Sequence, residues 1–486
     1  MNLKKSLMYK KKISIYFILF SLFVSILVSE YNLKNYDKNI LKEDGKSYHQ
    51  MIKTDPHRYL SEGYEIKKQW KKGVFFFKSG PENYTKYLPS RIAAIYYYIF
   101  DYKFYDNETE KKNLKIGIHN FYLFFQCLFY FLSVYFFSNQ LFLKIKNNFT
   151  SNVIIIFLCI EPTLFQYHGS FWSESYFFSF QLLLLTFMLK PPNFKNLMFV
   201  GIFLGILALQ KQLAFFYIIP ISLYYMYFIK EKKISKVFFI FLFYFLVLSV
   251  LGLNNLGRTG KFYILTADTK IDLHLDLIEK VMVKKKNISR NEFRIQEGKA
   301  MKNWMVENKI ILDKSLIDLK KDYTYWEYRS AIINEKDKEI FDKEISKRTI
   351  NYLQKYPIDF TKFIIKSAIH TVLLNPFHIF SENNFESGEI YYLTDQHDNL
   401  VYFRIPYTLS IYLVCLLGFF SLIRKKKYDI LILYIISIIY FYSLVLWHGN
   451  TRYFMPNLIY LSLFFGYGIL QLNDFLNLKL KKKLFF

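Results

Sequence analysis

Glu43-Asp44-Gly45-Lys46-Ser47-Tyr48 sets two adjacent carboxylates beside a glycine and a phenol, shortly after the first apolar segment, residues 13–29. A carboxylate at the boundary between lipid and water can deprotonate a hydroxyl, which is general base catalysis. The same pair would also serve as a plain solvated cap. Other polar residues fall at the ends of apolar runs. His168 and Glu174 flank one turn, Lys211 interrupts a long apolar stretch, Arg258 lies between Gly257 and Gly260, and His448 and Arg452 precede the last run. Ionisable groups at membrane ends usually face a cavity or a partner, so each is a candidate. Each has a plainer reading too: Glu174 suits a helix start, Arg452 can snorkel, and Lys211 can be a loop charge.

The elements that must position these groups are membrane helices. The chain has 486 residues, 53% hydrophobic and 21% aromatic, with 53 Phe and 42 Tyr. Several apolar runs reach spanning length, which predicts an all-α polytopic membrane protein. The formal charge of +26 is concentrated in segments 1–13, 143–151, 190–196, 230–236, 424–429 and 473–486, with 21 Lys/Arg against Glu231, Asp429 and Asp474. These segments alternate with apolar runs. The charge is therefore a topology signal and an attraction to anionic membrane lipid, and not a nucleic-acid footprint. Cys127, Cys159 and Cys415 lie inside apolar runs and read as small buried hydrophobes, with no disulfide framework and no metal spacing. No small-x-small site precedes Glu30, so residues 13–29 read as an uncleaved anchor.

Placing the basic segments in the cytoplasm gives about ten helices with both termini inside. The expected spans are 13–29, 119–143, 152–167, 171–189, a pair within 197–229 parted by Gln210-Lys211-Gln212, 237–254, 405–423, 430–447 and 455–472. Residues 31–118 form a first outer loop, within which Leu88–Phe100 is too short to span and lies along the interface. Residues 255–404 form a second outer region, in which Lys362–Phe380 reads as a juxtamembrane helix. The chain thus divides into an N-terminal membrane module (1–254, seven helices), the outer region (255–404), and a C-terminal membrane module (405–486, three helices and a basic tail). There is no P-loop, no Gly-rich dinucleotide fingerprint and no Gly-x-Ser-x-Gly. An activated donor must reach this chain by another route, such as the lipid.

His448-Gly-Asn-Thr-Arg452-Tyr-Phe-Met-Pro456, before a last helix ending near Gly466-Tyr-Gly468, resembles the Arg-Tyr-x-x-Pro signature of GT-C glycosyltransferases. More narrowly it resembles the bacterial relatives of protein O-mannosyltransferases and the aminoarabinose transferase. Four further stretches agree in order. Asp44-Gly-Lys-Ser-Tyr48 resembles the first-loop acidic motif that supplies the catalytic base, and Trp172-Ser-Glu174-Ser the Ser-Glu opening of the fourth helix. Gly201–Pro220 resembles the Gly-rich fifth and sixth helices with a basic junction, and Asn254-Asn255 to Gly260 the exit from the seventh. The resemblance spans 13–272 and 404–472. Asn254 and Lys211 stand where that family often has Arg, and the usual Asp-Glu pair is here Glu43-Asp44.

The resemblance implies a transferase that takes a sugar from a polyprenyl-phosphate donor on the outer face of the cytoplasmic membrane. The acceptor hydroxyl belongs to a glycan, lipid or protein, and configuration is inverted. Asp44, or Glu43 beside it, would take the acceptor's proton. Arg452, Lys211, Arg258 and His448 would hold the donor phosphate. Glu174, His168 and Tyr48 would orient a substrate, or the first two would bind a divalent ion; no metal site is assigned. Two rivals stay open. A polysaccharide polymerase or O-antigen ligase would use polyprenyl-diphosphate glycans and outer-loop arginines. A lipid-linked sugar flippase would show discontinuous helices and internal repeats, and no convincing repeat is visible.

Overall fold

A computed structural model describes residues 15–30, 55–80, 87–100, 116–264, 274–313, 317, 321–374, 400–446 and 451–484. Helices account for nearly all of it, and among these residues there is no strand, only one bridge between Leu312 and Ile332. In chain order the helices are α1 (Ile15–Glu30), α2 (Asp55–Lys71), α3 (Tyr87–Ile99), α4 (Ile116–Ile145), α5 (Asn148–Ile160), the single turn α6 (Pro162–Phe165), α7 (Glu174–Met188), α8 (Phe194–Gln210), α9 (Ile218–Phe228) and α10 (Lys233–Thr259). There follow α11 (Lys280–Lys286), α12 (Arg290–Glu307), α13 (Tyr325–Ala331), α14 (Glu335–Lys355), α15 (Pro357–Val372), α16 (Leu400–Arg424), α17 (Tyr428–Ser443), the single turn α18 (Thr451–Phe454) and α19 (Pro456–Leu484).

Among the described residues, four stretches are long and apolar enough to cross a membrane: Phe121–Ile145, Lys233–Arg258, Phe403–Arg424 and Pro456–Asn477. Five shorter apolar helical segments accompany them, among them α1, α5, α8 and α17. One continuous apolar cluster joins these helices, from Ile18 through Leu123, Leu182, Leu204 and Ile240 to Leu463. Packing in such a bundle depends on close backbone approach. A Cβ added at Gly418 of α16 would lie 1.7 Å from the Phe464 carbonyl oxygen, and one at Gly468 of α19 would lie 1.9 Å from that of Val414. Those two helices therefore touch backbone to backbone.

Local chemistry sets the breaks. The expected third span, 152–167, stops at Ile160, because Glu161 caps a new turn whose first residue is Pro162. Proline has no N–H to continue the preceding ladder, and the Glu161 carboxylate accepts the Leu164 N–H at 2.8 Å instead. The following helix begins at Glu174, not at Phe171, so residues 161–173 form a buried connector. The apolar run 197–229 does part at Lys211, whose extended backbone (φ −147°, ψ 126°) ends α8 before a 3-10 turn, Gln212–Tyr217, leads into α9.

A second group of helices has its own cores. Met301, Tyr325, Tyr328, Phe341 and Ile345 form one, and Leu277, Ile278, Phe293 and Phe360 another. Their buried acids are all paired. Glu297 accepts Arg348 Nε at 2.9 Å, Arg348 Nη2 at 3.2 Å and Tyr352 OH at 2.6 Å. Glu279 accepts Arg290 and Arg294. Helix α15 then returns to the bundle, where Tyr442 OH donates to the Ala368 carbonyl at 3.3 Å.

Candidate functional site

Three separate parts of the chain meet at one carboxylate. Glu174 opens α7, where an acid is favoured by the helix dipole, and it is wholly buried. Lys211 projects from the break after α8 and donates Nζ to Glu174 Oε1 at 2.6 Å. Arg452 arrives from the single turn α18 and donates Nε to the same oxygen. Its guanidinium carbon lies over the indole of Trp172, 3.8 Å from the ring centroid. All three charged groups are nearly inaccessible: Lys211 is 8% and Arg452 7% exposed. A buried carboxylate without a partner would be strongly destabilising, so two cations on one acid hold the junction together. A planar fork and an ammonium thus stand side by side, the combination that recognises phosphate.

Neighbouring amides fix the backbones that carry this cluster. Gln210 Nε2 donates to the Ser173 carbonyl at 3.0 Å, tying the end of α8 to the start of α7. Gln181 Nε2 donates to the Pro456 carbonyl at 2.9 Å, tying α7 to the start of α19. Gln126 of α4 holds the connector through the carbonyls of His168 (3.1 Å) and Ser170 (2.7 Å).

The remaining predicted residues separate from this cluster in different ways. His168 is buried in the connector, its Nδ1 2.9 Å from Ser175 Oγ and its ring 3.7 Å from that of Tyr130, so it braces the residue after Glu174. Arg258 stands near the end of α10 and donates to Asn255 Oδ1 at 3.0 Å. Glu43, Asp44, Tyr48 and His448 lie outside the described residues. Among the described residues, no group of three or more His, Cys, Asp or Glu could hold a metal ion.

Among the buried charges that sequence reasoning missed are Arg91 and Glu161. Arg91 of α3 is 2% exposed and donates to Ser79 Oγ at 2.8 Å and to the Ser79 carbonyl at 2.7 Å. Its signal was a lone cation in the apolar run Leu88–Phe100. Glu161 accepts the hydroxyl of Tyr407 from α16. Its signal was an acid directly before proline, a helix-start pattern inside what read as a continuous span. Trp172, quoted only as a motif neighbour of Glu174, turns out to be the platform for Arg452. Comparison with known protein families and with curated protein sequences finds no match to this chain.

Proposed function

We propose that this protein is a membrane glycosyltransferase of GT-C type, moving a sugar from a polyprenyl-phosphate donor to an acceptor hydroxyl. The observation that carries the reading is the Lys211–Glu174–Arg452 cluster, in which two cations from distant parts of the chain share one buried acid. Under this reading about ten helices cross the cytoplasmic membrane, with the cluster toward the outer face and both termini inside. The donor keeps its tail in lipid and its phosphate against Arg452 and Lys211. Asp44, or Glu43, accepts the proton of the acceptor hydroxyl as its oxygen bonds to the anomeric carbon. The bond from that carbon to the phosphate oxygen breaks with inversion, and the departing polyprenyl phosphate gains charge that the cations stabilise. Glu174 keeps the two cations in place before the donor arrives, while His168 and Tyr48 orient the groups around it.

Arg452→Lys tests the reading. A snorkelling anchor needs only a long cationic side chain, so lysine would be silent there. A phosphate fork stacked on an indole needs a plane, and its loss costs on the order of 2–4 kcal/mol of transition-state stabilisation, roughly 30- to 1000-fold in rate. The assay is sugar transfer by purified, reconstituted protein from a polyprenyl-phosphate donor. Wild-type protein inert on every such donor yet active on polyprenyl-diphosphate glycans would establish the polymerase or ligase reading instead.

A further inference from the structure

Between α2 and α3 the chain makes a tight turn, Gly73-Val74-Phe75-Phe76-Phe77-Lys78-Ser79, built round one 3-10 turn, Phe76–Lys78. Its backbone is clamped from two sides. Arg91 of α3 holds the Ser79 carbonyl and hydroxyl, and Trp70 Nε1 donates to the same hydroxyl at 2.8 Å. From α10, Asn254 Nδ2 donates to the carbonyls of Ser79 (3.1 Å) and Phe76 (3.3 Å). Gly257, one turn further along α10, lets the Phe77 carbonyl come so close that an added Cβ would lie 2.5 Å from it. The fixed backbone presents Phe75 outward, while one face of the Phe76 ring stacks on Trp70 and the Arg91 guanidinium. Phe75 is 64% and Phe76 38% exposed, and Lys72 and Lys78 are exposed on either side.

We propose that this turn is a lipid-surface anchor, with Phe75 and Phe76 seated in the interfacial layer of the bilayer and Lys72 and Lys78 against the phosphates of anionic phospholipids. Continuity is the first argument. The turn sits on α10, whose apolar face is open along its length at Phe238, Leu246, Leu253 and Leu256, so the exposed aromatics extend a surface already suited to lipid. Depth is the second. The apolar run of α10 from Val237 to Leu253 is about 25 Å long, close to a bilayer's hydrocarbon core. Asn254 and Gly257 therefore fall at the edge of that core, the level at which aromatic side chains collect. Charge is the third: two lysines flank the aromatic tip, matching an anionic headgroup layer. The anchor stands whether or not the protein transfers sugar. Its consequence is that α2 and α3 are held at one height above the lipid.

The test uses the full chain reconstituted in vesicles. Cys127, Cys159 and Cys415 are all buried, so Phe75→Cys can be labelled with an environment-sensitive fluorophore, as can Phe245→Cys from the middle of α10. Nitroxide lipids labelled near the glycerol backbone should quench the Phe75→Cys probe at least about twofold more than those labelled near the chain end, with the reverse order for Phe245→Cys. In phosphatidylcholine the emission should shift to the blue when phosphatidylglycerol is added, and Lys72→Gln/Lys78→Gln should abolish that shift. Both lysines are exposed, and glutamine keeps the Cγ by which Lys78 lies against Gly257, so the fold is not at risk. A Phe75→Cys probe quenched freely by aqueous iodide and untouched by nitroxide lipids would overturn the proposal and leave a water-facing or protein-docking turn. An undiminished response to phosphatidylglycerol in the double variant would overturn the role of the lysines.

Discussion

Glu174→Gln combined with Lys211→Met gives a direct measure of the buried cluster. At the observed 2.6 Å and an effective dielectric of about 20, the gross attraction between Lys211 and Glu174 is roughly 6 kcal/mol. Desolvation of both ions offsets much of it, and breaking such a pair from one side typically costs about 3–5 kcal/mol. Glu174→Gln does more than break a pair, since Arg452 loses the same oxygen and two cations are left facing each other. Lys211→Met instead leaves Glu174 and Arg452 as a neutral pair, so it should cost less, about 1–3 kcal/mol. In the Lys211→Met background, Glu174→Gln takes the carboxylate from one cation where it otherwise takes it from two. The two substitutions should therefore be non-additive, with a coupling of about 1–3 kcal/mol. The assay is reversible unfolding of purified protein by denaturing detergent in mixed micelles, followed for all four species. Additivity to within about 0.5 kcal/mol would refute the argument, because groups sharing an oxygen at this distance cannot act independently.

Three further outcomes are expected. Asp44→Asn should lower turnover of a polyprenyl-phosphate sugar by roughly a hundredfold or more with little change in stability, whereas Glu43→Gln should be milder; equal effects in the purified assay would leave the base shared between them. Burial alone would raise the Glu297 carboxyl, but its contacts with His274 and Arg348 overcome this and hold it down at about 2. A depressed carboxyl contributes stability that is present above its unfolded value of about 4.5 and lost as pH falls through about 2, here about 3 kcal/mol. Protection of the α12 and α14 amides, taken relative to their intrinsic exchange rates at each pH, should fall across that window and stay flat in Glu297→Gln; identical protection profiles in the two proteins would remove Glu297 as the cause. Gly418→Ala should destabilise the bundle by about 1–3 kcal/mol, since its methyl meets the Phe464 carbonyl and α16 must move away from α19. Unchanged detergent unfolding would contradict that crossing.

What the sequence determined by itself follows from local rules. Apolar length and composition specify helices almost everywhere, because a backbone in lipid must satisfy its own hydrogen bonds. The break at Lys211 was legible too: a lysine flanked by two glutamines stands out in an apolar run, and the helix stops there. The break at Glu161-Pro162 was equally present in the residues, but hydropathy averaged over a window hides one proline and one acid. Glu174, Lys211 and Arg452 could each be picked out as an ionisable group at the end of an apolar run, and each alone had a plainer explanation. Only the tertiary structure decided that they share one oxygen, because 278 positions separate Glu174 from Arg452 and no local pattern encodes their meeting. Tertiary structure likewise turned Arg91 from a stray cation in an apolar helix into the clamp on the Phe75–Ser79 turn. It also placed His168 among Tyr130, Phe131 and Ser175. The physical reason is the same each time: a charge excluded from solvent must find its partner wherever packing brings one, and packing acts across the whole chain.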